Sequence, residues 1–422
     1  MKIDRIAALE ILDSRGFPAL EVTLEADGKV GRASVPSGKS TGKHEAVELR
    51  DGDHSRFGGK GVVKAAYFVE SEIAEKIVGF ELPPQADLDA MLIDLDGTPT
   101  KSRLGANAIL GVSMAAARLR ALLEGAPLYR SLGGASATVL PVPCFNVLNG
   151  GAHADNPLDF QEFMIVPAGR PSFAEALRAG AEVYHALAGL LHDRGLSISV
   201  GDEGGFAPKI SHPTEALELL VEAIGSAGYH AGRDVFIALD PAASGFYHDG
   251  QYVFAGERLD AKGMAAMYGR WLQSYPILSI EDGLAEDDFE GWALLTREWG
   301  EKVQLVGDDI FVSDPARVKA AIAARSANAV LLKPNQIGTV TEISETARVA
   351  GAGGFRCMMS HRSGETQDDF IADLAVALGV GQIKSGAPAR GERVAKYNQL
   401  LRIEKELGAR ARFAGRDAFG VS

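Results

Sequence analysis

Six side chains with chemical potential recur in short apolar runs through the second half of the chain. The runs read FIALD, ILSIED, QLVGDD, AVLLK, CMMSH and GQIK, and they carry Asp240, Glu281, Asp308, Lys333, His361 and Lys384. Three carboxylates in one mouth repel one another unless a cation neutralises them, and an all-oxygen donor set favours Mg²⁺ or Mn²⁺ over zinc. Lys333, closing an apolar run and near such a cation, is expected to lose pKa toward the range of a general base. Any one of these acids could equally cap a helix. Three in register, followed by a lysine, form a layout for chemistry.

Other candidates stand outside this series. Glu162 (FQEFMIVP) and Glu203 (VGDEGGFAP) are possible acids, and Gly204-Gly205 allow a sharp turn beside Glu203. Spacing alone does not choose between Asp202 and Glu203. Arg362 and Ser363, directly after CMMSH, suit recognition of a phosphate or carboxylate. His153 lies in the small-residue loop NGGAHADN, where a lone histidine is more often structural. Ser37 to Lys43 (SGKSTGK) imitates a phosphate-binding loop, but Ala33 stands where that motif needs glycine. A flexible lid is the better reading of residues 36–44.

The elements that must position these groups follow from the gaps between the runs. Successive residues of the series are 41, 27, 25, 28 and 23 positions apart, and the intervals are rich in Ala, Leu, Glu and Arg. A beat of about 25 residues is one strand plus one helix, which predicts a (β/α)8 barrel with its site at the C-terminal strand ends. The start is less regular: two strands in close succession, then helices over Pro171–Asp193 and Pro213–Ala227. Residues 1–138 alternate as antiparallel strands, then turn helical over Gly61–Gly79 and Ala106–Leu123, giving an α+β cap domain. The barrel is expected over 139–404 and a C-terminal tail over 405–422.

Composition excludes several classes. The chain of 422 residues is 46% hydrophobic and 23% charged, with net charge −13 from 43 basic and 56 acidic residues. That balance argues against nucleic-acid binding, yet leaves room for a small anionic substrate. The longest uncharged stretch, Ser131 to Ala154, is broken by Gly, Pro and Asn, so no membrane span is expected. Two distant cysteines and no signal-peptide core fit a reducing, cytoplasmic setting.

Taken together, the motifs ILDSRG, HEAVELRDGD, SRLGANAILGVS, GDEGGFAP, YPILSIEDGL, SHRSGET and RVAKYNQLLRI make the chain resemble the enolases over nearly its whole length. The resemblance implies a hydro-lyase that interconverts 2-phosphoglycerate and phosphoenolpyruvate. It implies Asp240, Glu281 and Asp308 as ligands of one Mg²⁺, and Ser40 as a ligand of a second that arrives with substrate. Lys333 would be the base, and Glu203, supported by Glu162, the acid. Lys384 would hold the substrate carboxylate and Arg362 and Ser363 the phosphate, with His153, Gln161 and His361 lining the pocket. A homodimer or larger ring of dimers is the family expectation.

Four positions depart from the usual enolase pattern: Phe17 for Asn, Lys39 for Ala, Gly245 for Glu and Ser385 for Thr. Lys39 raises an alternative, an enolase-like paralogue of the carboxyphosphonoenolpyruvate synthase type, whose more anionic phosphonate substrate would meet a basic lid. A third reading, a binding or scaffold protein, has no use for the acid–base set.

Overall fold

The computed structural model describes residues 1–39 and 42–421. The expected metal ligand Ser40 therefore lies outside the described residues. The chain opens with an antiparallel meander of β1 (Arg5–Leu12), β2 (Pro18–Ala26) and β3 (Lys29–Val35). Asp27 and Gly28, both at positive φ, form the two-residue turn that matches the twist of β2 and β3. Leu20, Val22, Leu24 and Ala26 are buried, and the meander packs against the helix Ala106–Glu124. The approach is close: a Cβ on Gly31 would sit 2.3 Å from the Ala115 carbonyl oxygen, so only glycine fits. That helix is long and apolar enough to cross a membrane, but 78% of its apolar window is buried within the protein. The helical stretch expected after Gly61 is α, π and α in turn, over Val63–Phe68, Val69–Ile73 and Ala74–Ile77.

Eight strands close the barrel: β4 (Val142–Asn149), β5 (Glu162–Val166), β6 (Phe236–Asp240), β7 (Ile277–Glu281), β8 (Gln304–Gly307), β9 (Ala329–Leu332), β10 (Arg356–Ser360) and β11 (Gln382–Lys384). They pair in chain order, and β11 returns to β4. All are buried on both faces except the start of β10, which is why they read as continuous apolar runs. β5 breaks the rule of parallel strands, pairing antiparallel with both neighbours. No helix long enough for a crossover links Asn149 to Glu162, so the chain doubles back as a hairpin. Glu162 thus begins its strand, yet sits in register with Asn149 and Asp240 at the same mouth.

The irregular interval of the series also has a cause. Between Asp240 and Ile277 a small antiparallel sheet (Tyr247–His248, Gln251–Phe254, Glu257–Leu259) precedes the helix Ala261–Ser274. At the opposite end the floor of the barrel is apolar, with Val142, Met164, Leu278, Val306 and Leu331 packed with Phe419. Gln304 and Gln382 cross the interior in a reciprocal side-chain pair at 2.8 and 2.6 Å. Of the expected tail over 405–422, the described residues hold onto the barrel: Arg412–Phe413 pairs with Val139–Leu140, and Phe419 is buried.

Candidate active site

The mouth of the barrel holds a cavity of about 550 Å³. His153, Gln161, Glu162, Glu203, Asp240, Asp308, Lys333, His361, Arg362, Ser363 and Lys384 all line it. Glu281 is buried beside it, 2.7 Å from Lys384 Nζ. Lys384 Nζ also lies 3.3 Å from both Glu162 Oε1 and Asp240 Oδ2. One ammonium is therefore shared by three buried acids. Burial works against that charge, but Glu162, Glu281 and Asp240 outweigh it and hold the Lys384 pKa well above its usual value.

Asp308 takes a different partner. Its carboxylate pairs with Lys333 Nζ and accepts from Gln336 Nε2 at 2.8 Å. The lowered Lys333 pKa expected from the sequence belongs to a site with its cation bound; the protein groups alone act the other way. Burial does push it down, but the direct ion pair with Asp308 wins and raises it. Of the three expected metal ligands, Asp240 and Glu281 share Lys384, while Asp308 pairs with Lys333. Among the described residues, the donor atoms that fall within 4.8 Å of one another belong to His153, Glu162 and Glu203, and to Asp282, Asp308 and Asp309.

His153, Glu162 and Glu203 form the acid side. His153 Nδ1 lies 3.6 Å from Glu203 Oε1 and 3.8 Å from Glu162 Oε1. Asn146 donates to Glu203 Oε2 at 2.9 Å, and His361 Nε2 is 3.3 Å from the same oxygen. Burial raises Glu162 well above the carboxylate range, and the Glu203 charge adds to it. Burial would raise Glu203 as well, but His361 and His153 outweigh it and hold Glu203 well below that range. Burial also drives His361 down to about 3 against the pull of Glu203. These directions agree when a neutral His361 N–H faces an ionised Glu203. The two glutamates are pushed apart, one toward the acid form and one toward the base.

Several contributors were not singled out as site residues from the sequence. Asp282 accepts the Asp308 and Asp309 amides at 2.9 and 3.0 Å, fixing the backbone that carries Asp308. Glu45, inside HEAVELRDGD, pairs with Arg362 at 3.0 Å. Ser37 and Gly364 exchange backbone hydrogen bonds at 2.8 and 2.9 Å, tying the lid base to the Arg362–Ser363 loop. The signal available was position within an intact motif. Contacts between cap and barrel have no periodicity to read.

The comparisons with known proteins fit this geometry. Residues 3–132 match the family model "Enolase, N-terminal domain" and residues 137–421 match "Enolase, C-terminal TIM barrel domain". A curated "Enolase" from Acidothermus cellulolyticus is 58% identical over 418 residues, covering 99% of this chain and 97% of the relative. The chain belongs to the enolase family. The enolase architecture, an α+β N-terminal domain and a closed barrel, is the one observed.

The departures from the enolase pattern now have surroundings. The Phe17 ring takes Lys60 Nζ at 3.8 Å from its centroid, a cation–π contact that asparagine could not make. Lys39 Nζ donates to Asp202 Oδ2 at 2.9 Å, while Lys43 Nζ reaches Asp287 Oδ2 at 2.5 Å. Gly245 lines the cavity with open space where a Cβ would project. The Ser385 amide donates to Tyr397 Oη at 3.1 Å, and nothing in the structure explains the preference for Ser over Thr.

Proposed function

We propose that this chain catalyses the reversible dehydration of 2-phosphoglycerate to phosphoenolpyruvate, as a Mg²⁺-dependent hydro-lyase. The observation that carries the reading is one cavity at the barrel mouth that joins Lys333, the divided pair Glu162 and Glu203, and Asp240 and Asp308, with Glu281 buried beside it. The acids fit a hard cation: every donor is oxygen, and Glu281 Oε2 is buried without a hydrogen-bond partner. Asp240, Glu281 and Asp308 would hold one Mg²⁺, and Ser40 is assigned to a second from the motif alone. Bound Mg²⁺ would supply positive charge against the negative charge that builds on substrate, about 8 kcal/mol per new unit of charge for a +2 ion at 4 Å and an effective dielectric of 20.

Lys333 takes the proton from the carbon beside the substrate carboxylate. It can do so only as the free amine, so its ion pair with Asp308 must first be given up. Glu203 delivers a proton to the departing 3-hydroxyl. Glu162, the member of the pair pushed toward its acid form, stands behind Glu203, with His153 Nδ1 3.6 to 3.8 Å from both carboxylates. Lys384 holds the substrate carboxylate. Arg362 and Ser363 hold the phosphate, and Gln161 and His361 shape the wall.

The pairing of Lys39 with Asp202 spends its charge within the protein, which favours the glycolytic substrate over a more anionic phosphonate. We also assign a domain boundary at 138/139, a cytoplasmic setting and a homodimer or ring of dimers, following the family. Purified protein with Mg²⁺ and 2-phosphoglycerate should form phosphoenolpyruvate, followed by ultraviolet absorbance. Folded protein without turnover would overturn the substrate assignment.

A further inference from the structure

Arg393 lies behind the wall of the cavity, on the helix Gly391–Leu407, and is completely buried. Its guanidinium meets five groups from three segments, one of them Ser14 Oγ at 3.5 Å. It donates to His361 Nδ1 at 2.6 Å and to the carbonyl oxygens of Arg362 (2.6 Å) and Ser363 (2.7 Å). It also donates to the Asp202 carbonyl at 3.0 Å, one residue before Glu203. Its carboxylate partner is Glu392, 3.4 Å from Nε. Burying a cation among carbonyls is costly, so the arrangement needs a reason beyond packing.

The contact with His361 has a chemical consequence. Arginine has donors and no acceptor, so His361 Nδ1 must present its lone pair. This network assigns the ring as the Nε2–H tautomer. Its protonated Nε2 then lies 3.3 Å from Glu203 Oε2, a close approach short of hydrogen-bond geometry. The other tautomer would set two donors against each other at one end and two acceptors at the other.

We propose that Arg393 is a positioning residue for the dehydration, fixing the His361 tautomer and the spacing between the phosphate loop and the loop of the acid. A single rigid fork ties residues 361–363 to Asp202, so Arg362, Ser363 and Glu203 keep one geometry as substrate enters. The inference rests on the roles given above to His361 and Glu203.

The test uses full-length protein with ¹⁵N-labelled histidine. Among nine histidines, His361 is assigned by the signal lost in His361→Asn. In the wild type, His361 should carry its proton on Nε2 and none on Nδ1. Arg393→Lys keeps the charge but replaces the fork with one nitrogen, so kcat should fall roughly 10- to 100-fold, the usual cost of a lost outer partner. Its His361 spectrum should become a mixture of tautomers. Guanidinium at millimolar concentration should restore part of the activity of Arg393→Ala and leave the wild type unchanged.

A wild-type His361 protonated on Nδ1 overturns the proposal, whether or not any variant folds. So does an Arg393→Lys enzyme that loses thermal stability while kcat, KM and the tautomer stay as they were, because that is a brace and nothing more. If His361→Asn turns over normally, the reading of the site fails and takes this proposal with it. If His361→Asn is impaired and Arg393→Lys is not, the proposal alone falls.

Discussion

Replacing Lys384 with methionine keeps the length of the side chain and removes the one ammonium that three buried acids share. Each of these carboxylates that is ionised, at 2.7 to 3.3 Å, gains about 5–6 kcal/mol of attraction at an effective dielectric of 20. The acids also repel one another, and part of the gain offsets the cost of burying the ammonium. With the lysine gone, the acids take up protons rather than remain charged, so the net loss settles near 3–5 kcal/mol, the usual cost of orphaning buried partners. A divalent cation can replace the missing charge. Urea unfolding of wild type and Lys384→Met should therefore differ by about 3–5 kcal/mol in chelator and by much less in millimolar Mg²⁺. Turnover should be lost in both conditions, since the substrate carboxylate has lost its grip. Equal stability of the two proteins in chelator would refute the shared-ammonium account. A loss that Mg²⁺ does not reduce would refute the assignment of Asp240 and Glu281 as metal ligands.

Other outcomes follow from single contacts. Asp282→Asn keeps one acceptor and turns a donor toward the Asp308–Asp309 backbone, so calorimetric Mg²⁺ affinity should fall roughly 10- to 100-fold. Unchanged affinity would mean that Asp308 is held by other contacts. Lys39→Ala removes a partly exposed ion pair with Asp202, worth about 0–1 kcal/mol, so KM for 2-phosphoglycerate should change less than about fivefold and only at low salt. Abolished turnover would return Lys39 to a direct role with substrate. Asp373, buried against the Tyr129 amide, has its pKa raised to about 6, chiefly by burial with Asp369 adding to it. For an acid with a raised folded-state pKa, the folded state binds the extra proton, so stability falls as pH rises from near 4 through 6. Asp373→Asn should then be more stable than wild type at pH 8, by up to roughly 2–3 kcal/mol, and show no advantage below pH 4. A constant difference across that range would reject the titration.

Much of the barrel was legible because a buried parallel strand must be apolar and must end near a chemical group. Asp240, Glu281, Lys333 and Lys384 lie where the beat put them. The direction of β5 was not legible, because five buried residues read the same in either sense. Glu162 entered as a candidate only through its neighbours in sequence. The lysine–carboxylate pairings were also hidden. Lys384 and Glu281 are 103 positions apart, and only closure of the barrel brings them to 2.7 Å. Arg393 sat in a recognisable motif, RVAKYNQLLRI, but its five acceptors lie in three remote segments. Helix periodicity marks it as buried at best and says nothing of what it holds.

The floor of the barrel has a consequence for synthesis. β11 meets β4 through Gln382 and Val142, and the floor is sealed by Phe419. During translation, therefore, the apolar interior stays open to water after the strands before β11 have emerged. The meander β1–β3 and its helix can assemble early, since their contacts lie within the first 130 residues. The barrel cannot close until β11 has left the ribosome, and its exposed strand edges must be kept from other chains until then. Removing the stretch from Arg412 to Phe419 would leave a finished mouth above an open base, and the cost would appear as aggregation before any loss of chemistry.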